Sequence, residues 1–313
     1  MLSKTDHCNI YNGKPYNYFG DYLRSKYGFR IFKLPINAFL GCPNRINGHG
    51  CIFCSESGSA SPSIGNHESI YKQMQNAKTS FNRTSVETRY IAYFQAYTNT
   101  AGNINTLKKL YDEALSFPDV MGLMIGTRPD EINPEITDLI AEYNVPDFEL
   151  WVELGMQSAH DRSLDYLNRM HSFSQTRDSI ILLSNRGIQV SVHIILGIPG
   201  ESWADMMQTA DTISSLPVAG VKIHHLHVLK NTPLYSMYTN GEVKLLEFKS
   251  YISILTDFIE RLRKDITIHR IAGDALEDVL VAPKWGLEKG TVQQRLIDEF
   301  NRRCTWQGFL YKD

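Results

Sequence analysis

Three cysteines fall within thirteen residues, in the run Gly41-Cys42-Pro43-Asn44-Arg45-Ile46-Asn47-Gly48-His49-Gly50-Cys51-Ile52-Phe53-Cys54. Thiolates are the ligands of zinc and of iron–sulfur clusters. Three sulfurs must turn toward one point to share a centre, which a straight helix or strand does not allow. A loop does, and Gly48 and Gly50 permit the left-handed backbone and close approach that such wrapping needs. Structural zinc takes four protein ligands, and His49 could be the fourth. A [4Fe–4S] cluster is usually held by four cysteines; with three, one iron stays open for a reactive cofactor. The loop alone leaves both readings standing. Cys8 and Cys304 sit near opposite ends of the chain and are expected to be plain thiols. Five cysteines so distributed do not make a disulfide scaffold.

The rest of the chain must position that loop. At 313 residues it can bury the core of one large α/β domain. Its 42% apolar and 21% charged content is that of a soluble globular protein. No apolar run approaches the ~20 residues of a membrane span, and the first residues lack the basic-then-apolar pattern of a secretory signal. A cytoplasmic protein with no membrane partner is expected. A net charge of −2 gives no bulk attraction to nucleic acid, so RNA binding would need a local basic patch. The short basic clusters at 261–264 and 302–303 fit solvated helix faces.

From about residue 30, short β-branched and aromatic runs alternate with segments of helical period. Strands are predicted at 30–40, 90–96, 120–126, 148–156, 189–197 and 221–229. Helices are predicted at 104–115, 131–142, 159–168, 175–185 and 203–214. Six βα-type units imply a parallel sheet with right-handed crossovers. An open doubly wound sheet loses ground because no G-x-G-x-x-G follows an early strand. In a barrel, functional residues gather at the C-terminal ends of strands, where the unusual residues fall here. Residues 1–28 read as an irregular lead-in, 29–240 as the barrel and 241–313 as a C-terminal extension packed on it. That extension holds helices at 245–264 and 290–302 and a short strand at 267–271.

A strand running into a three-cysteine loop, followed by repeated βα units, resembles the radical S-adenosylmethionine (SAM) superfamily. The resemblance implies a partial (β/α)6 TIM-like barrel with a C-terminal helical extension. It implies a [4Fe–4S] cluster on Cys42, Cys51 and Cys54, whose open iron chelates SAM. Reductive cleavage of SAM would then yield a 5′-deoxyadenosyl radical. The usual spacing is C-x3-C-x2-C; here it is C-x8-C-x2-C.

Within the superfamily the chain is most similar to the branch of oxygen-independent coproporphyrinogen oxidases and Elp3-like tRNA-modifying enzymes. Ala96, Tyr97 and Thr98 stand where that branch has a turn meeting the SAM amino group. Gly155-Met156-Gln157-Ser158 resembles its G-x-Q-S, and Arg169-Met170-His171 its R-x-H, at the family's interval. The resemblance assigns Gln157 to the ribose and Arg169 to the methionine carboxylate, roles that suit an amide and a planar guanidinium. His193 occupies the position of a ribose-binding aspartate, and Thr127, in Thr127-Arg128-Pro129-Asp130, is a further SAM contact. Arg128 and Asp130 are expected to pair. On the substrate side, His225 and His227 share one face of the sixth strand and His224 takes the other; if the pair points into the barrel, it lines the substrate cavity. Glu153, a carboxylate inside an apolar strand, needs a cationic partner, for which Lys222 and Arg128 are candidates.

Nearly the whole length, including Gly273-Asp274, Ala282-Pro283-Lys284-Trp285 and Gln307-Gly308, is similar to bacterial radical SAM proteins close to Elp3 but without its acetyltransferase domain. These are associated with the C5 side chain of tRNA wobble uridine. The implied partners are tRNA and a reductant such as flavodoxin or ferredoxin. The competing functions are radical chemistry on a small metabolite or tetrapyrrole, and a zinc- or cluster-stabilised RNA-binding protein without turnover.

Overall fold

The computed structural model of the chain describes residues 11–46, 49–55, 68–79, 87–273, 275–287 and 289–312. Cys8, Gly48 and Asp274, all weighed in the sequence, lie outside them. The strands are β1 (Arg30–Ile36), β2 (Thr88–Phe94), β3 (Val120–Thr127), β4 (Glu149–Gln157), β5 (Gln189–Leu196), β6 (Gly220–His225), β7 (Val228–Leu229), β8 (Thr267–Arg270) and β9 (Leu280–Ala282). The helices are α1 (Phe19–Tyr27), α2 (Pro43–Ile46), α3 (Ile70–Thr79), α4 (Ile104–Leu115), α5 (Pro134–Ala141), α6 (Asp161–Tyr166), α7 (Phe173–Ser184), α8 (Trp203–Ser215), α9 (Pro233–Thr239), α10 (Phe248–Arg261) and α11 (Lys289–Arg303).

Seven parallel strands lie in the order β1-β2-β3-β4-β5-β6-β8 and curl into a half-barrel. The six strands read from the sequence are all there. The seventh, β8, is the short strand expected in the extension, and it pairs with β6 instead of standing apart. The predicted strand over 221–229 also breaks: β6 ends at His225, and β7 turns away to pair antiparallel with β9. The lead-in is not irregular throughout. Phe19 and Leu23 are buried on one face of α1, and Gly28 closes the helix with a left-handed residue (φ 80°).

Period-two alternation divides the side chains into two environments. The outward set, such as Tyr90, Ala92 and Phe94 on β2 and Leu150, Val152 and Leu154 on β4, joins the main core under the helices. The inward set builds layers. Deepest is an apolar floor of Phe19 and Leu23 from α1 with Ile91, Tyr93, Met124 and Trp151. Beyond it along the strands come Lys33, Glu153, His193 and Lys222, and then the mouth.

The helix α1 packs against both β1 and β8, the two ends of the strand order. Ile268 donates its N–H to the Asn17 carbonyl at 2.7 Å, and Lys26 and Tyr27 each reach buried Glu149 at 2.7 Å. Gln307 fastens the two ends of the chain. Its backbone N–H meets the Pro15 carbonyl (2.8 Å) and its Oε1 accepts from Asn17 N–H (2.9 Å). Its Nε2 donates to the carbonyls of Arg263 and Ile266, both at 2.7 Å.

Candidate active site

A cavity of about 660 Å³ opens where the strands end, as the barrel argument requires. Cys42, Cys51 and Cys54 all line it, and none forms a disulfide. Gly41 (φ 76°) and Gly50 (φ 74°) turn the backbone immediately before the first two. Part of the long x8 interval is a single helical turn, α2, started by N–H bonds from Arg45 and Ile46 to the Cys42 carbonyl. That turn places two polar side chains which the sequence did not single out. Asn44 is buried, and its Nδ2 donates to the Asn168 carbonyl (2.7 Å) and toward Cys51 Sγ (3.4 Å). Arg45 donates to the carbonyls of Cys54 (2.8 Å) and Ser55. Asn168 answers from the barrel side with a 2.7 Å bond to the Gly50 carbonyl.

His49, the fourth ligand of the zinc reading, is exposed and does not line the cavity of the three cysteines. Among the described residues, no three His, Cys, Asp or Glu side chains close around a point suited to a single metal ion. Burial pushes the Cys54 thiol above its ordinary value, only partly countered by Arg45.

The residues expected at SAM gather on the same mouth. Gln95, Tyr97 and Thr98 follow β2 and line the cavity, whereas Ala96 is buried and does not. Tyr97 has φ 61°, and the Thr98 N–H is tied to the Gly41 carbonyl at 3.1 Å, so this turn and the cysteine loop hold each other. Thr127 lines the cavity, with its hydroxyl 2.6 Å from that of Thr100.

Gly155 and Gln157 end β4 at a register irregularity, and Gln157 takes φ 65°. A Cβ on Gly155 would stand 2.8 Å from Arg169 Nη2 and 3.1 Å from Gln157 Nε2. The missing side chain is what lets these two groups converge. Arg169 donates to the Gly155 carbonyl (2.8 Å), to Cys51 Sγ (3.3 Å) and to His171 Nε2 (3.2 Å). Burial and the Arg169 and Arg128 charges hold His171 neutral, down to about 4. Arg128 pairs with Asp130 at 2.8 Å and also donates to the Arg169 carbonyl at 2.6 Å.

Deeper in the cavity, Lys222 donates to Glu153 and to the Tyr93 hydroxyl, both at 2.7 Å, and Tyr93 donates to Glu153 at 3.0 Å. Burial pushes the Glu153 carboxyl up, but Lys222 foremost, with His193 and Lys33, outweighs it and holds the group far below the carboxylate range. Of the two candidate partners of Glu153, Lys222 is the one it meets. Lys33 is driven down to about 7 by burial. His193 stacks on His224 with ring centroids 4.1 Å apart.

His225 lies on the face of β6 that carries Val221 and Ile223, 4.0 Å from the Trp285 ring and 5.1 Å from Tyr251. His227 follows the end of the strand and meets His225, Nε2 to Nε2, at 2.6 Å, so one ring donates and the other accepts. Both reach the cavity edge, as does His224. Cys304 is exposed, far down the chain on the residue after α11.

Residues 36–213 match the family described as "Radical SAM superfamily", and residues 218–302 match the "Radical_SAM C-terminal domain". The chain is 40% identical over 297 residues to "Uncharacterized protein MJ0486" of Methanocaldococcus jannaschii, covering 93% of this chain and 90% of that one. It is 26% identical over 191 residues to a "tRNA uridine(34) acetyltransferase" of Methanocaldococcus infernus, covering 59% of this chain and 34% of the relative. Its fold is similar to that of the archaeal M. infernus Elp3 with an N-terminal deletion, at TM-score 0.67 and 18% identity, over 88% of this chain and 64% of that one. The sequence match runs through the cysteine loop and the strand ends that line the cavity, and the chain belongs to the radical SAM superfamily of enzymes, whose cofactors are a [4Fe–4S] cluster and S-adenosylmethionine.

Proposed function

We propose that this radical SAM enzyme modifies the C5 side chain of a tRNA wobble uridine. The observation that carries the substrate is the sequence likeness to a tRNA uridine(34) acetyltransferase, joined to the likeness in fold to Elp3.

The residues present fit the two cofactors. Three free thiols line one cavity, and around them Thr98 Oγ1, Gln157 Oε1, Asn44 Oδ1 and Arg128 Nη1 are buried with no partner among the described residues. Buried polar groups are nearly always satisfied, so this cluster of orphans marks the footprint of an absent polar ligand. Cys42, Cys51 and Cys54 are the cluster ligands. Asn44 and Arg169, donating toward Cys51, stabilise the anionic sulfur. Arg169 also offers a guanidinium edge to a carboxylate, and Gln157 an amide oxygen to a ribose hydroxyl. Thr98 and Thr127 flank that space, and His193 bounds it below. Bound together, the two cofactors would supply hydrogen-atom abstraction chemistry once the cluster is reduced. The low-potential electron comes from a separate reductant such as flavodoxin or ferredoxin. His225, His227 and Glu153 border the substrate half. Glu153, held ionised by Lys222, orients neighbouring groups and does not act as a proton donor near neutral pH.

Anaerobic reconstitution tests the chemistry. The full chain should gain the broad brown absorbance of a cluster and cleave SAM to 5′-deoxyadenosine on reduction. Cys51→Ala should abolish both, and Cys304→Ala neither; a colourless protein holding one zinc would overturn it. Mass spectrometry of tRNA nucleosides from a deletion strain tests the substrate. An unchanged wobble-uridine profile would refute it in favour of a small-molecule substrate.

A further inference from the structure

The residues fitted to the cluster and SAM come from the ends of β1 to β4, from the Arg169 segment and, below them, from His193 on β5. The remaining half of the cavity is lined from β6 and β8, at the other end of the strand order, by Lys222, His224 and Arg270. Arg270 stands out there. It lines the cavity, yet among the described residues no carboxylate lies within ion-pair distance of it and no group accepts a hydrogen bond from it. A guanidinium turned into a protein cavity without an anion is costly. Nearby, Glu153 already has Lys222 and Tyr93. His193 and His224 are kept neutral by burial and by the Lys222 and Arg270 charges, and among the described residues the Nε2 atoms of both have no partner.

We infer that Arg270 is the anion-binding residue of the substrate half, and that the group it receives is a carboxylate. One planar guanidinium matches two carboxylate oxygens in a fork. A phosphate dianion fits less well, because Lys222, the other cation described on this wall, is committed to Glu153, and Glu153 itself would repel a second negative charge. The inference rests on the radical SAM reading for the placing of the cofactors, and it narrows the substrate to an acid. The acid could be a free small molecule or a side chain carried on a nucleoside.

The probe is difluoroacetate, followed by 19F line broadening on the full chain with cluster reconstituted and SAM bound, so that Arg169 is not the reporter. It should bind in competition with acetate and not with acetamide. Arg270→Gln should weaken it tenfold or more and Arg270→Lys should keep part of it, while SAM affinity stays within about twofold in both. Tight displacement by uridine-5-acetic acid but not by uridine would assign a nucleoside-borne acid; displacement by acetate alone would assign a free acid. Undiminished binding in Arg270→Gln, equal competition by acetamide, or inorganic phosphate binding tenfold tighter than acetate would each overturn the inference. The wobble-uridine profile of a deletion strain does not enter this measurement, so the two readings fail separately.

Discussion

Replacing Lys222 with Met removes the cation from Glu153 while keeping most of the side-chain volume. Both partners are buried, their nitrogen and oxygen are 2.7 Å apart, and the Tyr93 hydroxyl shares the same ammonium. Removing one partner of a buried pair leaves an uncompensated charge and costs about 3–5 kcal/mol. At ~2 °C per kcal/mol for a chain of this size, the melting temperature should fall by roughly 6–10 °C. The double variant Lys222→Met/Glu153→Gln should recover about 1–3 kcal/mol of that loss, because the stranded carboxylate is gone. The pair also has a pH signature. Glu153 is held ionised far below its unfolded value of ~4.3, so its stabilisation is complete above about pH 5 and disappears as the pH falls. The gap between wild type and Glu153→Gln should therefore narrow in acid. Urea unfolding of the three variants from pH 4 to 8 measures all of this. A Lys222→Met cost below about 1 kcal/mol, or a double variant equal to the sum of the singles, would refute the reasoning.

Two further outcomes follow from the geometry. Gly155→Ala puts a methyl group 2.8 Å from Arg169 Nη2 and breaks its bond to the Gly155 carbonyl; at ~1.5 kcal/mol for a charge-assisted bond, SAM affinity should fall about tenfold by calorimetry. Gln307→Ala strips the partner from the buried carbonyl of Ile266 and the part-buried one of Arg263, and at ~1–3 kcal/mol for each the chain should lose about 2–6 kcal/mol and open to limited proteolysis before residue 28.

Much of the fold was legible because buried parallel strands leave continuous β-branched runs between amphipathic helices, and all six such runs are strands. What escaped had weak local signals. β8 is four residues long and follows a long helix, so it read as part of an appendage. α1 buries only Phe19 and Leu23 amid tyrosines and polar residues, which is too thin a stripe to show periodicity. The break after His225 is set by pairing with β9, more than fifty residues away, which alternation along β6 does not encode. At the site, Cys42, Cys51, Cys54, Gln157 and Arg169 were marked by type and spacing. Asn44 was not, since an asparagine in a glycine-rich loop looks like turn chemistry until Asn168 and Cys51 are brought beside it. Arg270 was likewise invisible, because what distinguishes it is the absence, among the described residues, of an anion around it in space.

The Gln307 clasp has a consequence for how the molecule is made. The strands enter the sheet in the order in which they leave the ribosome, so the growing chain can add each to the last. The first helix can dock early on β1 and Glu149, but its hold on the last strand must wait. Its counterpart β8 arrives more than 230 residues later, and the amide that ties Pro15 and Asn17 to Arg263 and Ile266 emerges later still. Until then Phe19 and Leu23 can seat on the floor from the β1–β4 side, but the β6 end of the barrel lacks its closing partner. Closing the half-barrel therefore calls on residues made near the very end of the chain, Gln307 among them.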